Sequence, residues 1–596
     1  MEEDILSVSL QEVKNDLCKA IVECNKRGLL QSVKWLAEMN HGLSYVETTR
    51  DFHESVSSDL SKADYDNYYL GKSYFDLREY DRAAYFTRDC ESRVPKFLHY
   101  YATYMAKQKR QLESVTDNSN LSDSPLAKDM SDLLASLKYE YSERKLDGYG
   151  LYLYAVVLKN VGLNEMAIHV FVESIQETPM LWSSYVELAP LISEKEKIIA
   201  LNLPNHWMKQ IFLAHAYIEL YLNYEGLKQY ENLRAAGFQN CIYITSQMAL
   251  AYHNKREVDK AIEVFQTIQE VDPYRLDNLD TYSNLLFVKE LKTEMASLAH
   301  KALSISKYRP ETCCVIGNYY SIRSDHQKAI MYFQRALKLN PQYLAAWTLM
   351  GHEFMELKNT NAAIQSYRKA VEVNKRDYRA WYGLGQSYEI LKMHYYSLYY
   401  FKNAHKLRPF DSRMLVALGE TYEKLEKNEN AIRCYLKACN VGDIEGIALY
   451  KLANLYEKLG NIESAVPAYI SYCADERAAA DKQSLFHAYI TLANYYENNG
   501  QYEKAAHYAY KCLESDEKKS EAKSLLKTIE NKRLSQPVQN RATSKELYSN
   551  DVMMDASRIS ITNKEDKSSS ENVSTEILDR NSDDNNTMDM STMSMD

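Results

Sequence analysis

Residues 347–370 read WTLMGHEFMELKNTNAAIQSYRKA, and the spacing inside this stretch decides the fold. Trp347, Met350, Gly351 and Phe354 stand at i, i+3, i+4 and i+7, the apolar stripe of one helix face, and Ala363, Tyr367 and Ala370 make a second stripe after a polar break. Adding 34 to these numbers gives Trp381, Leu384, Gly385, Tyr388, Phe401 and Ala404, closed by Pro409. A further step gives Leu415, Leu418, Gly419, Tyr422, Ala431, Tyr435 and Ala438, and one step back gives Ile316, Gly317, Tyr320, Ala329, Phe333, Ala336 and Pro341. Four copies therefore run without a gap.

A pair of short helices with this period and the order W-x2-L-G-x2-Y, A-x3-F, P is the tetratricopeptide repeat. Each position has a mechanical reason. Gly or Ala at i+4 of the stripe lets the second helix come close, and the Ala twelve residues on is expected to face it with the aromatic residue beside them. Proline ends the second helix because it lacks the N–H to continue, and Pro95, Pro179, Pro273, Pro341 and Pro409 are read as such stops. Weaker copies share the phase: Gly71 with Ala83, Ala155 with Ala167 and Phe171, Ala249 with Ala261 and Phe265, Leu279 with Leu286 and Ala302, Ala453 with Ala465, and Ala493 with Ala505. The last step is 40, which implies a lengthened helix or loop near residues 472–485.

The fold class expected is all-α, a tetratricopeptide-repeat superhelical solenoid with a disordered C-terminal tail. Its expected parts are N-terminal helices over 1–60, N-terminal repeats over 61–270, C-terminal repeats with a peptide-binding groove over 271–518, and a capping helix over 519–534. The tail, 535–596, is rich in Ser, Asn, Asp and Met, and its 6 basic and 12 acidic residues leave it at −6. A polar insert, LESVTDNSNLSDSPLA at 112–127, reads as a loop, with Ser124 before Pro125 as a phosphorylation candidate.

Composition agrees and narrows the function. Only 17 Gly and 11 Pro serve 596 residues, too few for the turns of a large β or α/β fold, and 50 Tyr imply a recurrent structural position for a ring with a polar tip. A net charge of −10 without Lys/Arg clusters argues against a nucleic-acid partner. The acidic start MEEDILSVSL is unlike a signal peptide and no apolar run reaches 18 residues, so no membrane partner and a cytosolic or nuclear site are expected. Ten Cys without a C-x-x-C give neither a zinc site nor a disulfide framework, and the 14 His show no ligand spacing. No P-loop, H-E-x-x-H or G-x-S-x-G is present, and the Gly383–Gly385 pair falls inside a repeat helix. Neither catalysis, cofactor nor metal is expected.

Binding is expected on the inner face, lined by the first helix of each repeat. One position after the small residue, the ladder reads Asn284, Asn318, His352, Gln386, Glu420 and Asn454, hydrogen-bonding groups suited to an extended peptide. Three residues further it reads Phe287, Ser321, Met355, Glu389, Glu423 and Glu457. Glu389, Glu420 and Glu423 would favour a ligand carrying Arg or Lys, with Tyr382 and Phe287 as apolar contacts. A clamp for acidic peptide tails would want the opposite charge, which Arg379 and Arg413 on nearby turns could supply.

Finer segments carry a more particular likeness. DPYRLDNLDTYSNLLF from Asp272, KYRPETCCVIGNYYS, YFQRALKLNPQYLAAWTLMGHEFMELKNTNAAI and VNKRDYRAWYGLGQSYEILKM resemble the family of the eighth subunit of the anaphase-promoting complex. RPFDSRMLVALGETYEKL and WMKQIFLAHAYIEL extend the likeness, which covers about residues 60–530 and not the tail. The resemblance implies a non-catalytic scaffold of a cullin-type ubiquitin ligase controlling mitotic progression, nuclear and cytoplasmic. It further implies a homodimer formed by N-terminal repeats, stacking with other repeat and scaffold subunits, and an inner groove for an Arg-containing activator motif. On that basis Asn318, His352, Gln386 and Glu389 are the expected groove contacts. The alternative is a free repeat adaptor or co-chaperone that binds peptide tails.

Overall fold

The computed structural model describes residues 9–46, 60–61, 63–117, 130–443, 446–475, 482–513 and 519–534. Every regular element among them is helical. Two compact units divide the chain, Met1–Lys375 and Arg376–Asp596.

In the first unit α1 (Leu10–Lys26) and α2 (Leu30–Gly42) form a hairpin, followed by α3 (Tyr65–Asp76), α4 (Tyr80–Thr87), α5 (Arg93–Asp117) and α6 (Ser131–Ser142). The paired helices are then α7 (Gly148–Val161) with α8 (Asn164–Glu177) and, after two short helices α9 (Trp182–Leu188) and α10 (Lys195–Ala200), α11 (Trp207–Glu219) with α12 (Asn223–Ala235). They continue as α13 (Ile242–Lys255) with α14 (Val258–Val271), α15 (Leu279–Val288) with α16 (Lys292–Ile305), α17 (Pro310–Ser321) with α18 (His326–Leu339), and α19 (Leu344–Glu356) with α20 (Thr360–Val373). The second unit pairs α21 (Tyr378–Ile390) with α22 (His394–Leu407), α23 (Ser412–Lys424) with α24 (Asn428–Val441), and α25 (Ile447–Lys458) with α26 (Ile462–Ala474). It ends with α27 (Lys482–Asn498), α28 (Tyr502–Cys512) and α29 (Lys519–Leu534). Helix α29 packs on α27 and α28 and buries Ala522 and Ile529, as a solenoid end requires.

Close approach within each pair rests on the small residue. A Cβ on Gly317, Gly351, Gly385 or Gly419 would lie 2.4–2.5 Å from the ring of Phe333, Tyr367, Phe401 or Tyr435. In these four pairs the ring sixteen residues on, rather than the Ala twelve on, is therefore what covers the small residue. Those rings are fully buried, which is one place where the chain uses its tyrosines.

A second period is carried by the backbone alone. Arg256, Glu290, Ser324, Lys358, Lys392, Glu426 and Gly460 lie 34 apart, and each has φ between 54° and 76° at the turn joining the helices of a pair. Six of the seven are not glycine, so packing of the two helices holds the left-handed turn against a cost of about 1–2 kcal/mol per residue.

Three expectations change. Pro95 is not the stop of α4 but lies in the first turn of α5, where an N–H has no helical partner to lose. Residues 112–117 continue α5 as helix instead of opening the polar loop; the rest of that insert through 127, with Ser124, lies outside the described residues, as does the tail. Residues 182–235 hold two short helices, α9 and α10, and a further pair, α11 with α12, that the spacing did not reveal, because Pro190 and Pro204 interrupt the period. The step of 40 includes a lengthened helix, α27, of 17 residues.

The N-terminal hairpin does more than precede the repeats. Helix α2 sits on α9 and on α13, the first helix of its pair. Trp35 stacks on Trp182 at 4.3 Å, Ser32 and Ser183 share a hydrogen bond of 2.5 Å, Lys34 donates to Asp277 at 2.5 Å, and Arg275 donates to Glu38 at 3.3 Å. Arg27, buried, pairs with Glu23 and with Asp147 and lies over the Tyr149 ring, tying the hairpin to α7.

Candidate peptide-binding face

First helices of successive pairs touch one another directly, α15 with α17, α17 with α19 and, in the second unit, α23 with α25. Residues one position after the small residue thus meet their counterparts about 34 residues away. What they do with each other decides what remains for a ligand.

In the first unit Asn318 is only 2% exposed, and its amide donates to Asn284 Oδ1 at 2.7 Å and to Ser283 Oγ at 2.8 Å. Asn318 is consequently a clamp between α15 and α17, and its donor is used inside the fold; the amide nitrogen of half-buried Asn284 has no partner among the described residues. His352 is exposed, with Nδ1 2.7 Å from the Tyr367 hydroxyl. The next residue, Glu353, is the surprise. It is a buried carboxylate that accepts from Ser321 Oγ at 2.6 Å and lies 2.8 Å from His326 Nδ1, so it joins α17, α18 and α19. Its only sequence signal is an acid where the neighbouring copies carry Tyr319, Ser387 and Thr421.

The second unit carries the acidic rungs, and each comes with a lysine. Glu389 accepts from Lys424, Glu420 from Lys451 at 2.8 Å, and Glu423 from Lys458 at 2.6 Å and from the Tyr435 hydroxyl at 3.3 Å. Burial, with Glu423 adding to it, pushes the Tyr435 phenol well above its ordinary value, so it stays a donor. Burial alone would lower Lys451, yet its bond to Glu420 holds it raised. The row expected to be bare carboxylate is therefore a run of Glu–Lys pairs along one face. Gln386 is half-buried and its amide has no partner among the described residues, while Tyr382 packs on Phe401 at 5.3 Å and is part of the core edge. Arg379 and Arg413 are held by the helix-capping carboxylates of Asp377 and Asp411.

Chemically the second-unit face can exchange cations. Lys424 and Lys458 are 44% and 59% exposed, and exposed pairs contribute only about 0–1 kcal/mol. A guanidinium that reaches two carboxylate oxygens at once binds more firmly than the single ammonium it displaces. On the first unit the corresponding face of α9 and α13 is taken by α2, which leaves a recess of about 430 Å³ between Trp35, Lys34, Glu38, Trp182, Tyr243 and Arg275. Among the described residues no group of three or more His, Cys, Asp or Glu could hold a metal ion, and no helix is long and apolar enough to cross a membrane.

Comparison with known proteins places this arrangement. Residues 12–249 match the family described as anaphase promoting complex subunit 8 / Cdc23, and repeats of the tetratricopeptide type match at 310–343, 351–390, 412–441, 447–471 and 486–519. The anaphase-promoting complex subunit 8 of Arabidopsis thaliana is 40% identical over 394 residues, covering 59% of this chain and 67% of that protein. The human cell division cycle protein 23 homolog is 48% identical over 298 residues, 50% of each chain. Among solved structures, the hetero-tetramer Cut9–Hcn1 of the same complex shares the fold, with a TM-score of 0.53 over 87% of this chain and 96% of that one at 15% identity. With sequence identity of this extent on top of a shared helical-repeat fold, the chain belongs to the anaphase-promoting complex subunit 8 / Cdc23 family.

Proposed function

We propose that the chain is a non-catalytic scaffold subunit of the anaphase-promoting complex, a cullin-type ubiquitin ligase that drives mitotic progression, acting in nucleus and cytoplasm. It homodimerises through its N-terminal repeats and stacks with other repeat and scaffold subunits. The Glu–Lys face of α21, α23 and α25 receives an Arg-containing segment of an activator. The observation that carries the last step is the pairing of Glu389 and Glu423 with exposed lysines one repeat on, a set of carboxylates already oriented toward cations. Interleaved Lys424, Lys451 and Lys458 also give the alternative, capture of acidic tails, something to act on.

Titration of the full chain with two fluorescent peptides, one bearing Arg and one ending in acidic residues, separates the readings. Glu389→Gln with Glu423→Gln is expected to weaken the Arg peptide at least tenfold and leave the acidic one unaffected. Equal affinity of the double variant and the parent for the Arg peptide would remove the assignment. Light scattering of the full chain at micromolar concentration tests the dimer, and a monomer there would refute it.

A further inference from the structure

The outer side of the second unit carries a face that the inner-face reading leaves unused. Helix α22 reads HYYSLYYFKNAHKL and contains no Asp or Glu. Its exposed residues Tyr395, Tyr399, Lys402 and Lys406 stand at i, i+4, i+7 and i+11, one continuous stripe. Tyr395 and Tyr399 are 72% and 52% exposed, and Trp381 of α21 meets Tyr399 edge-on at 6.5 Å. One helix pair on, α24 adds exposed Arg433 and Leu436 together with Lys437. Lys402 and Lys437 both lie near the buried Cys434 thiol, which burial pushes up to about 11. In a chain of net charge −10, this is a cationic and aromatic patch.

The chain also supplies a segment of matching chemistry. All of the tail's net charge of −6 lies in its last 26 residues, 571–596, where seven acids face one base, Arg580. The same residues include Ile577, Leu578, Met588, Met590, Met593 and Met595. Thioethers make favourable contacts with aromatic rings, and carboxylates seek the lysines between them.

We propose that residues 571–596 dock in cis on the Tyr395–Tyr399–Lys402–Lys406 stripe of α22 and its extension on α24. The helix that precedes the tail, α29, packs on α28, the second helix three pairs after α22 in the same unit. Residues 535–570 number 36, and a coil of that length spans roughly 30–36 Å. A flexible tether of this kind gives its end an effective concentration on the order of millimolar, enough for a weak patch to be occupied. Docked this way, the tail covers the outer face until a partner of higher affinity displaces it.

The test uses the full chain. Carbodiimide joining of carboxylates to amines, read by mass spectrometry on a mixture of isotope-labelled and unlabelled chains, should link Lys402 or Lys406 to acids of 571–596 within one chain. Tyr395→Ser with Tyr399→Ser should lower those links at least fivefold, while the Lys532–Glu497 pair, 2.9 Å apart, keeps its yield. A synthetic 571–596 peptide should bind a full chain whose seven tail acids are amidated at least tenfold more tightly than it binds the parent, in which the tail already occupies the patch. Links found only between differently labelled chains would overturn the cis occupant. Links spread evenly over other lysines, or equal peptide affinity for both chains, would overturn the site.

Discussion

Replacing Gly351 by Ala puts two known effects in opposition. A helix-interior Gly→Ala change gains about 1 kcal/mol from propensity. Against it, the new Cβ would stand 2.4 Å from Tyr367 Cε1 and 2.7 Å from Cδ1 and Cζ, where ordinary contact begins near 3.4 Å. Tyr367 cannot swing clear: it is 1% exposed and its hydroxyl is 2.7 Å from His352 Nδ1. Relief must come from parting α19 and α20, and overpacking of this kind costs about 1–3 kcal/mol. With three ring atoms overlapped the upper half of that range applies, so a net loss of about 1–2 kcal/mol is expected. A long repeat array need not unfold in one step, so the assay is native-state hydrogen exchange of α19 and α20 amides rather than a global melt. Exchange there should accelerate about tenfold, the factor that corresponds to 1.4 kcal/mol. Tyr367→Leu in the same chain should remove most of the added penalty, which appears as coupling between the two sites. Exchange in Gly351→Ala as slow as in the parent, or slower, would show that the helix spacing is not set by the missing side chain.

Three further outcomes follow from the same geometry. Lys424→Met together with Lys458→Met should raise affinity for the Arg-bearing peptide up to about thirtyfold, because each exposed pair holds back at most about 1 kcal/mol, a factor of about five; a fall in affinity in the titration would contradict the exchange of cations. Lys358→Gly should slow exchange around its turn, since φ of 58° there costs a side-chain-bearing residue about 1 kcal/mol that glycine does not pay. His405 is buried, which with Lys437 nearby lowers its pKa to about 4 from an ordinary 6.5. The unfolded chain therefore takes up this proton first, and stability of the α22–α24 region should be lost as pH falls from about 6.5 toward 4. Exchange against pH should show this loss and His405→Leu should flatten it; an unchanged profile in the variant would assign the acid sensitivity elsewhere.

By itself the sequence determined the helix pairs and their phase. Gly351 with Tyr367, or Gly385 with Phe401, is a local arrangement: two helices joined by one turn must place residues sixteen apart against each other, so the period shows in the residue types. The left-handed turn was not legible, since Ser324, Lys358 and Glu426 carry no turn signature and their conformation is imposed by the helices on either side. Nor was the state of the inner face. Asn318 is spent on Asn284, Glu389 on Lys424 and Glu423 on Lys458, partners 34 or 35 residues away that meet only when successive pairs dock. The hairpin of α1 and α2 is the extreme case, with Lys34 reaching Asp277 across 243 residues. A ladder of residue types shows which groups line a face; docking decides which of them still have a hydrogen bond to offer.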